Sequence, residues 1–275
     1  MSFSSLTRGI ALAAAGVLAL SLTACAGSSD APAADGSDGL GTLKVGALPV
    51  PAGDMLKWVS ENLAEEKGLT IQWQEFTDYN TPNPALSDGS VDANLFQNST
   101  FLETYNQQTG DDLISVGEMY LPAAAFYSNK VDSLDELKDG ATVAIPNDPT
   151  NEGRALELLA AEGIIEISEG ADTLSGITEN PKNLKFIEIE NATLALALPD
   201  NDAAFVTASF AIPAGLSDDQ AILIEGTDSA YYNILATRAE LKDDPRITAL
   251  IEMLTDERTQ EYILETWKGL IVPVG

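Results

Sequence analysis

The segment VAIPNDPTNEGRALELLAAEG, from Val143 to Gly163, reads as a short apolar strand, a proline-containing turn and the start of a helix. A strand leading into a helix is the unit of α/β architecture, so this stretch sets the fold class. It also carries an anomaly. Arg154 falls in the first turn of the helix, facing the positive end of the helix dipole, where a cation is disfavoured by a few tenths of a kcal/mol. A nearby anion would remove that penalty. Two sources are open: a ligand carboxylate, or the neighbouring acids Asp148 and Glu152 on a solvated surface.

Outward from this segment the same alternation continues. LKVGALP from Leu43 reads as a buried strand, and DMLKWVSENLAEEKG follows with Met55, Leu56, Val59 and Leu63 at helical spacing and Gly68 as a stop. Next come the strand LTIQWQEF, a turn holding Pro82 and Pro84, a short helix to Gly89 and the strand VDANLF. Beyond them, DLISVG and AAAFYS continue the strand pattern, and Ser133 with Glu136 forms a helix-capping pattern. LKFIEIE, AAFVT, AILIE and YYNILATR read as strands, NATLALALP as a helix, and RITALIEMLTDERTQEYILETWKG as two amphipathic helices. The alternation predicts parallel strands joined by helical crossovers. Periodicity is equally consistent with one large sheet and with two lobes, each with its own sheet.

Composition narrows the chemistry. The 275 residues include 14 Lys and Arg against 43 Asp and Glu, a formal charge of −29, and such a surface repels nucleic acid and anionic headgroups. There is no histidine and a single cysteine, which excludes a Ser-His-Asp triad, a Cys-His pair, a thiolate zinc site and an internal disulfide. DPTNEGRALELL from Asp148 fails as a calcium loop: Gly153 fits the sixth position, but Leu159 stands where a bidentate Glu is required. No metal and no cofactor are expected. A hydrolase built on paired carboxylates remains the enzymatic alternative.

The N-terminus has a positive flank at Arg8 and an apolar run from Gly9 to Ala24, shorter than the ~20 residues of a permanent span. Residues 1–24 read as a secretion signal. Leu22, Thr23, Ala24 and Cys25 resemble the lipobox of bacterial lipoproteins, which makes Cys25 the acyl attachment point. Residues 25–41 are then the lipidated N-terminus and a small-residue tether, and the folded part begins near Thr42 on the extracytoplasmic face of the cell membrane.

Four stretches together resemble the NlpA/MetQ family of methionine-type lipoproteins, the substrate-binding components of ABC importers. They are EFTDYNTPNPALSDGSVDANLFQ (Glu75–Gln97), SLDELKDGATVAIPNDPTNEGRAL (Ser133–Leu156), ENPKNLKFIEIE (Glu179–Glu190) and DSAYYNILATR (Asp228–Arg238). The resemblance implies a two-lobed α/β periplasmic-binding-protein fold, type II-like, with a ligand cleft between the lobes. It places lobe 1 at 42–128 plus 230–275 and lobe 2 at 129–229, with crossings near Tyr127–Lys130 and Ser229–Tyr232. It implies no enzymatic activity, a methionine-like amino acid as ligand, permease and ATPase subunits as partners, and attachment to the membrane by the lipid anchor. A surface lipoprotein acting as adhesin or sensor, and a binding protein for another amino acid or a short peptide, are the alternatives.

By the same resemblance, Arg154 grips the ligand carboxylate with two parallel guanidinium donors, aided by free N–H groups at Thr150–Gly153. Tyr79 and Phe96 line the side-chain pocket, where a thioether gains roughly 0.3–1.5 kcal/mol against a ring. Asn233 contacts the polar head of the amino acid. Three positions depart from the family pattern: Asn98 stands for a histidine, Phe101 for a tyrosine and Thr207 for an asparagine. The carboxylate end is expected to be intact and the side-chain end edited.

Overall fold

The computed structural model describes residues 39–216 and 218–274; the signal segment and Cys25 lie outside the described residues. In chain order the first lobe opens with β1 (Gly41–Ala47), α1 (Asp54–Asn62), β2 (Leu69–Glu75), α2 (Pro82–Ser87), β3 (Ala93–Asn98), α3 (Ser99–Thr109) and β4 (Ile114–Pro122). The second lobe holds β5 (Ala124–Tyr127), β6 (Thr142–Pro146), α4 (Pro149–Ala161), β7 (Glu166–Ile167), β8 (Ile177–Glu179), β9 (Lys185–Ile189), α5 (Leu194–Ala197), β10 (Ala203–Thr207), α6 (Ala208–Ala211) and β11 (Ala221–Ile224). The chain then returns to the first lobe with β12 (Asn233–Thr237), α7 (Pro245–Leu254), α8 (Glu257–Trp267) and β13 (Ile271–Pro273).

Each lobe is a sheet covered on both faces. The first sheet runs β13-β4-β12-β3-β1-β2 and the second β11-β5-β10-β6-β9, with β7 and β8 as a separate small ribbon. Every residue of β3 is buried, as its continuous run ANLFQN requires of a central strand. On one face of the first sheet, Met55, Leu56 and Val59 of α1 pack with Ile247 and Leu250 of α7 and Ile263 of α8. On the other face, Leu86 and Leu102 meet Ile234 and Ala236. The second sheet is likewise sandwiched, by Leu156 and Leu159 of α4 on one side and by Leu194 and Leu198 on the other.

The sheets are mixed rather than parallel, and the double crossing explains why. β1, β2 and β3 are parallel to one another, as are β6, β9 and β10. β4 carries the chain out of the first lobe and β12 brings it back at the same end, so the two must run in opposite directions. β5 and β11 are antiparallel for the same reason in the second lobe.

The first crossing lies at Pro122–Ala124, upstream of the expected Tyr127–Lys130, because AAFY (Ala124–Tyr127) pairs with β10 and β11 in the second sheet. The second crossing spans 225–232 and includes the expected Ser229–Tyr232. Two local expectations also change. The Ser133 side chain makes no cap, and Glu136 instead accepts the Asp132 N–H at 3.1 Å. NATLALALP forms consecutive short turns around α5 rather than one helix.

Candidate functional site

The carboxyl ends of the parallel strands in both sheets point into the gap between the lobes, the place where open α/β sheets take ligands. Asn98 ends β3, α4 starts at Pro149 close behind the end of β6 at Pro146, and Thr207 ends β10. Asn233 opens β12, which runs the other way, and its register sets it opposite both Asn98 and Tyr120 at the same edge.

Arg154 is 2% exposed, so the solvated-surface reading of this arginine does not hold. Its partner is neither Asp148 nor Glu152. The guanidinium donates from Nε to Glu225 Oε1 at 2.8 Å and from Nη2 to Glu225 Oε2, and Nη2 also reaches the Pro122 carbonyl at 3.0 Å. The Tyr231 ring covers it, with the guanidinium carbon 4.8 Å from the ring centroid. One full edge of the fork is therefore used within the protein. Nη1 is the donor that Glu225 and Pro122 leave over, and Arg154 lines the interlobe cavity.

The start of α4 is capped from within as well. Asp148 Oδ1 accepts the Asn151 N–H at 3.0 Å, its carbonyl accepts the Glu152 N–H at 2.9 Å, and Asn191 Nδ2 donates to Asp148 Oδ2 at 2.6 Å. The N–H groups of Asn151 and Glu152, expected to serve a ligand, are thus engaged by the cap. Glu152 Oε1 accepts the Leu174 N–H at 2.6 Å, and burial, with Glu188, Asp172 and Asp148 nearby, pushes its carboxyl above the usual range.

Aromatic rings form one wall. Tyr79 lies 5.8 Å from Phe96, 6.1 Å from Phe101 and 4.9 Å from Phe210, and Phe96 meets Phe101 edge-on at 5.8 Å. Such pairs contribute roughly 0.5–1.5 kcal/mol beyond their burial. The Tyr79 hydroxyl is 3.0 Å from Thr207 Oγ1, joining the two lobes, and burial pushes the phenol above its ordinary pKa.

Amides form the other wall. Asn233 Nδ2 donates to the Tyr120 hydroxyl at 3.1 Å, and Asn98 Oδ1 caps α3 by accepting the Phe101 N–H at 2.9 Å. Behind them Asn83, Asn94 and Gln97 are cross-bonded, with Gln97 Nε2 to Asn83 Oδ1 at 2.6 Å and Asn83 Nδ2 to Gln97 Oε1 at 2.7 Å. This closed amide set pins the Pro82–Pro84 turn to β3.

Tyr79, Phe96, Asn98, Phe101, Arg154 and Asn233 share one cavity, with Gln97, Pro122 and Asn151, while Thr207 joins it through the Tyr79 hydroxyl. The cavity volume is about 10 Å³, room for roughly one water. Beyond the Tyr79 and Phe101 rings a groove of about 130 Å³ opens between Thr104, Tyr105 and Gln108 on one lobe and Asp148, Pro149 and Thr150 on the other.

Sequence reasoning missed Glu225, Phe210 and the amide set. Phe210 stands three residues beyond Thr207, one helical turn on, and that spacing was a usable signal. Glu225 had none, since it lies 71 residues from Arg154 and meets it only through the topology.

The NlpA lipoprotein family model matches residues 43–275. The D-methionine-binding lipoprotein MetQ of Salmonella typhi is 38% identical over 234 residues, covering 82% of this chain and 86% of that protein. Among solved structures, a nutrient binding protein from Burkholderia cenocepacia bound to methionine is 37% identical with a TM-score of 0.82, covering 85% of this chain and 100% of that one. A periplasmic substrate-binding protein of an ABC transporter from Coxiella burnetii is 36% identical with a TM-score of 0.81, covering 84% of this chain and 100% of that one. With its two lobes, its cleft and a family match across the folded part, the chain belongs to the NlpA lipoprotein family.

Proposed function

We propose that this chain captures methionine or a closely related amino acid outside the cytoplasmic membrane and delivers it to the permease and ATPase subunits of an ABC importer. The observation that carries the reading is a buried cation, Arg154, that shares an interlobe cavity with buried amides and aromatic rings. The names of the relatives, D-methionine-binding in one and bound to methionine in another, support the same ligand class. In this reading Nη1 of Arg154 and the side-chain amide of Asn98 hold the carboxylate. Asn233 takes the ammonium group through its carbonyl oxygen, and the thioether lies among Tyr79, Phe96, Phe101 and Phe210.

A cavity of about 10 Å³ is far smaller than an amino acid, so in this reading the lobes part to admit the ligand and close over it. Binding and release need no catalytic group. Cys25 would carry the lipid that keeps the protein at the membrane; among the described residues no helix is long and apolar enough to span one.

The test is a thermal melt of the purified, delipidated protein against a panel of amino acids, with mass spectrometry of a denatured sample to identify retained small molecules. Stabilisation by methionine-like side chains supports the reading, and stabilisation by none of the panel contradicts it.

A further inference from the structure

We infer that Glu225 is a positioning residue that ties both interlobe crossings to the ligand-gripping arginine, so that carboxylate capture stiffens the hinge. The inference rests on the ligand reading above, but its structural half stands apart from it.

The geometry is a closed circuit. Glu225 begins the second crossing, and its carboxylate holds the Nε and Nη2 edge of Arg154. The same carboxylate accepts the Ala124 N–H at 3.1 Å, while the Glu225 N–H donates to the Ala124 carbonyl at 2.9 Å. Arg154 Nη2 closes onto Pro122 in the first crossing. Further along the second crossing, Ser229 Oγ donates to Glu225 Oε1 at 2.8 Å and accepts the Tyr231 N–H at 3.0 Å. Tyr231 covers the guanidinium and donates its hydroxyl to Glu157, also on α4, at 2.8 Å. Both strands of the hinge are thus anchored to one helix through one ion pair.

Two consequences follow from the chemistry. A carboxylate cannot take Arg154 by the edge that Glu225 occupies, and Pro122 holds the remaining Nη2 donor, so a ligand meets Nη1 alone rather than two parallel donors. A guanidinium flanked by two anions is pinned in its plane, and whatever fixes it also fixes Pro122, Ala124 and the start of the second crossing.

The experiment is amide hydrogen exchange on the full chain as the parent and as Glu225→Gln, each alone and with L-methionine. Without ligand, E225Q should exchange at least tenfold faster at the backbone amides of Ala124 and of position 225, while β1 and β6 keep parental rates. Equal rates at those two amides, or acceleration spread evenly through the chain, overturn the anchoring. With L-methionine, the parent should slow at both amides; E225Q should bind at least tenfold more weakly and show no slowing there at saturation. An E225Q protein that binds and slows like the parent overturns the coupling. If the parent itself binds no methionine, the ligand reading fails while the ligand-free comparison still decides the anchoring. Should E225Q not fold, Ser229→Ala, which removes one bond to the carboxylate and keeps its charge, should accelerate the same two amides, and no acceleration overturns the inference.

Discussion

Tyr79 and Thr207 stand 128 residues apart and on different lobes, yet their hydroxyl oxygens lie 3.0 Å from each other in the buried floor of the cleft. The pair is a direct hydrogen bond across the closure. Thr207→Val keeps the shape and removes this bond, leaving the buried Tyr79 hydroxyl to Ser209, a loss of about 0.5–1.5 kcal/mol. Urea unfolding should show a loss of that order.

Arg154 and Glu225 are a buried pair joined through Nε and Nη2 of the guanidinium. Arg154→Ala should destabilise the fold by about 3–5 kcal/mol by stranding the Glu225 carboxylate. Replacing both with apolar residues, Arg154→Met with Glu225→Leu, should restore most of the stability and none of the amino-acid binding. Chemical denaturation beside calorimetric titration separates the two effects.

How far these sites were legible in the chain depends on the range of the physics involved. The strand-turn-helix alternation around Arg154 is local and was legible, but the helix dipole does not single Arg154 out: α4 opens at Pro149, which puts Arg154 beyond the first turn, where the dipole penalty has faded. The antiparallel strands β4 and β12 were not distinguishable from parallel ones, since direction is set by the double crossing and not by any pattern of apolar residues. The same holds for Ala124–Tyr127, whose apolar run fits either sheet and whose partners are chosen by β10 and β11. Glu225 was one acid among 43, and only the folded chain selects it.

Glu152 gives a pH signature. Burial is the main cause of its raised pKa, so the folded chain holds this proton to higher pH than the unfolded chain does. Its contribution is most favourable below the ordinary glutamate range and falls as pH rises through the folded pKa. Glu152→Gln keeps an acceptor for the Leu174 N–H and should stabilise the protein at pH 7, with the gain fading toward acid. Melting curves of both proteins across that range check it.

Phe210 adds a ring from the second lobe to the aromatic cluster. Phe210→Ala removes the ring 4.9 Å from Tyr79, a contact contributing roughly 0.5–1.5 kcal/mol beyond its burial. The variant should weaken L-methionine binding and shift preference toward bulkier apolar amino acids such as phenylalanine, as competition titrations would show.

The claim that the arginine at the cleft grips an amino-acid carboxylate is tested most directly by melting the parent protein with L-methionine and with L-methioninamide, which differ only at that group. L-methionine at a hundred times its dissociation constant should add about 2.7 kcal/mol of stability, with little or no shift from the amide. Equal stabilisation by the two compounds would contradict the account.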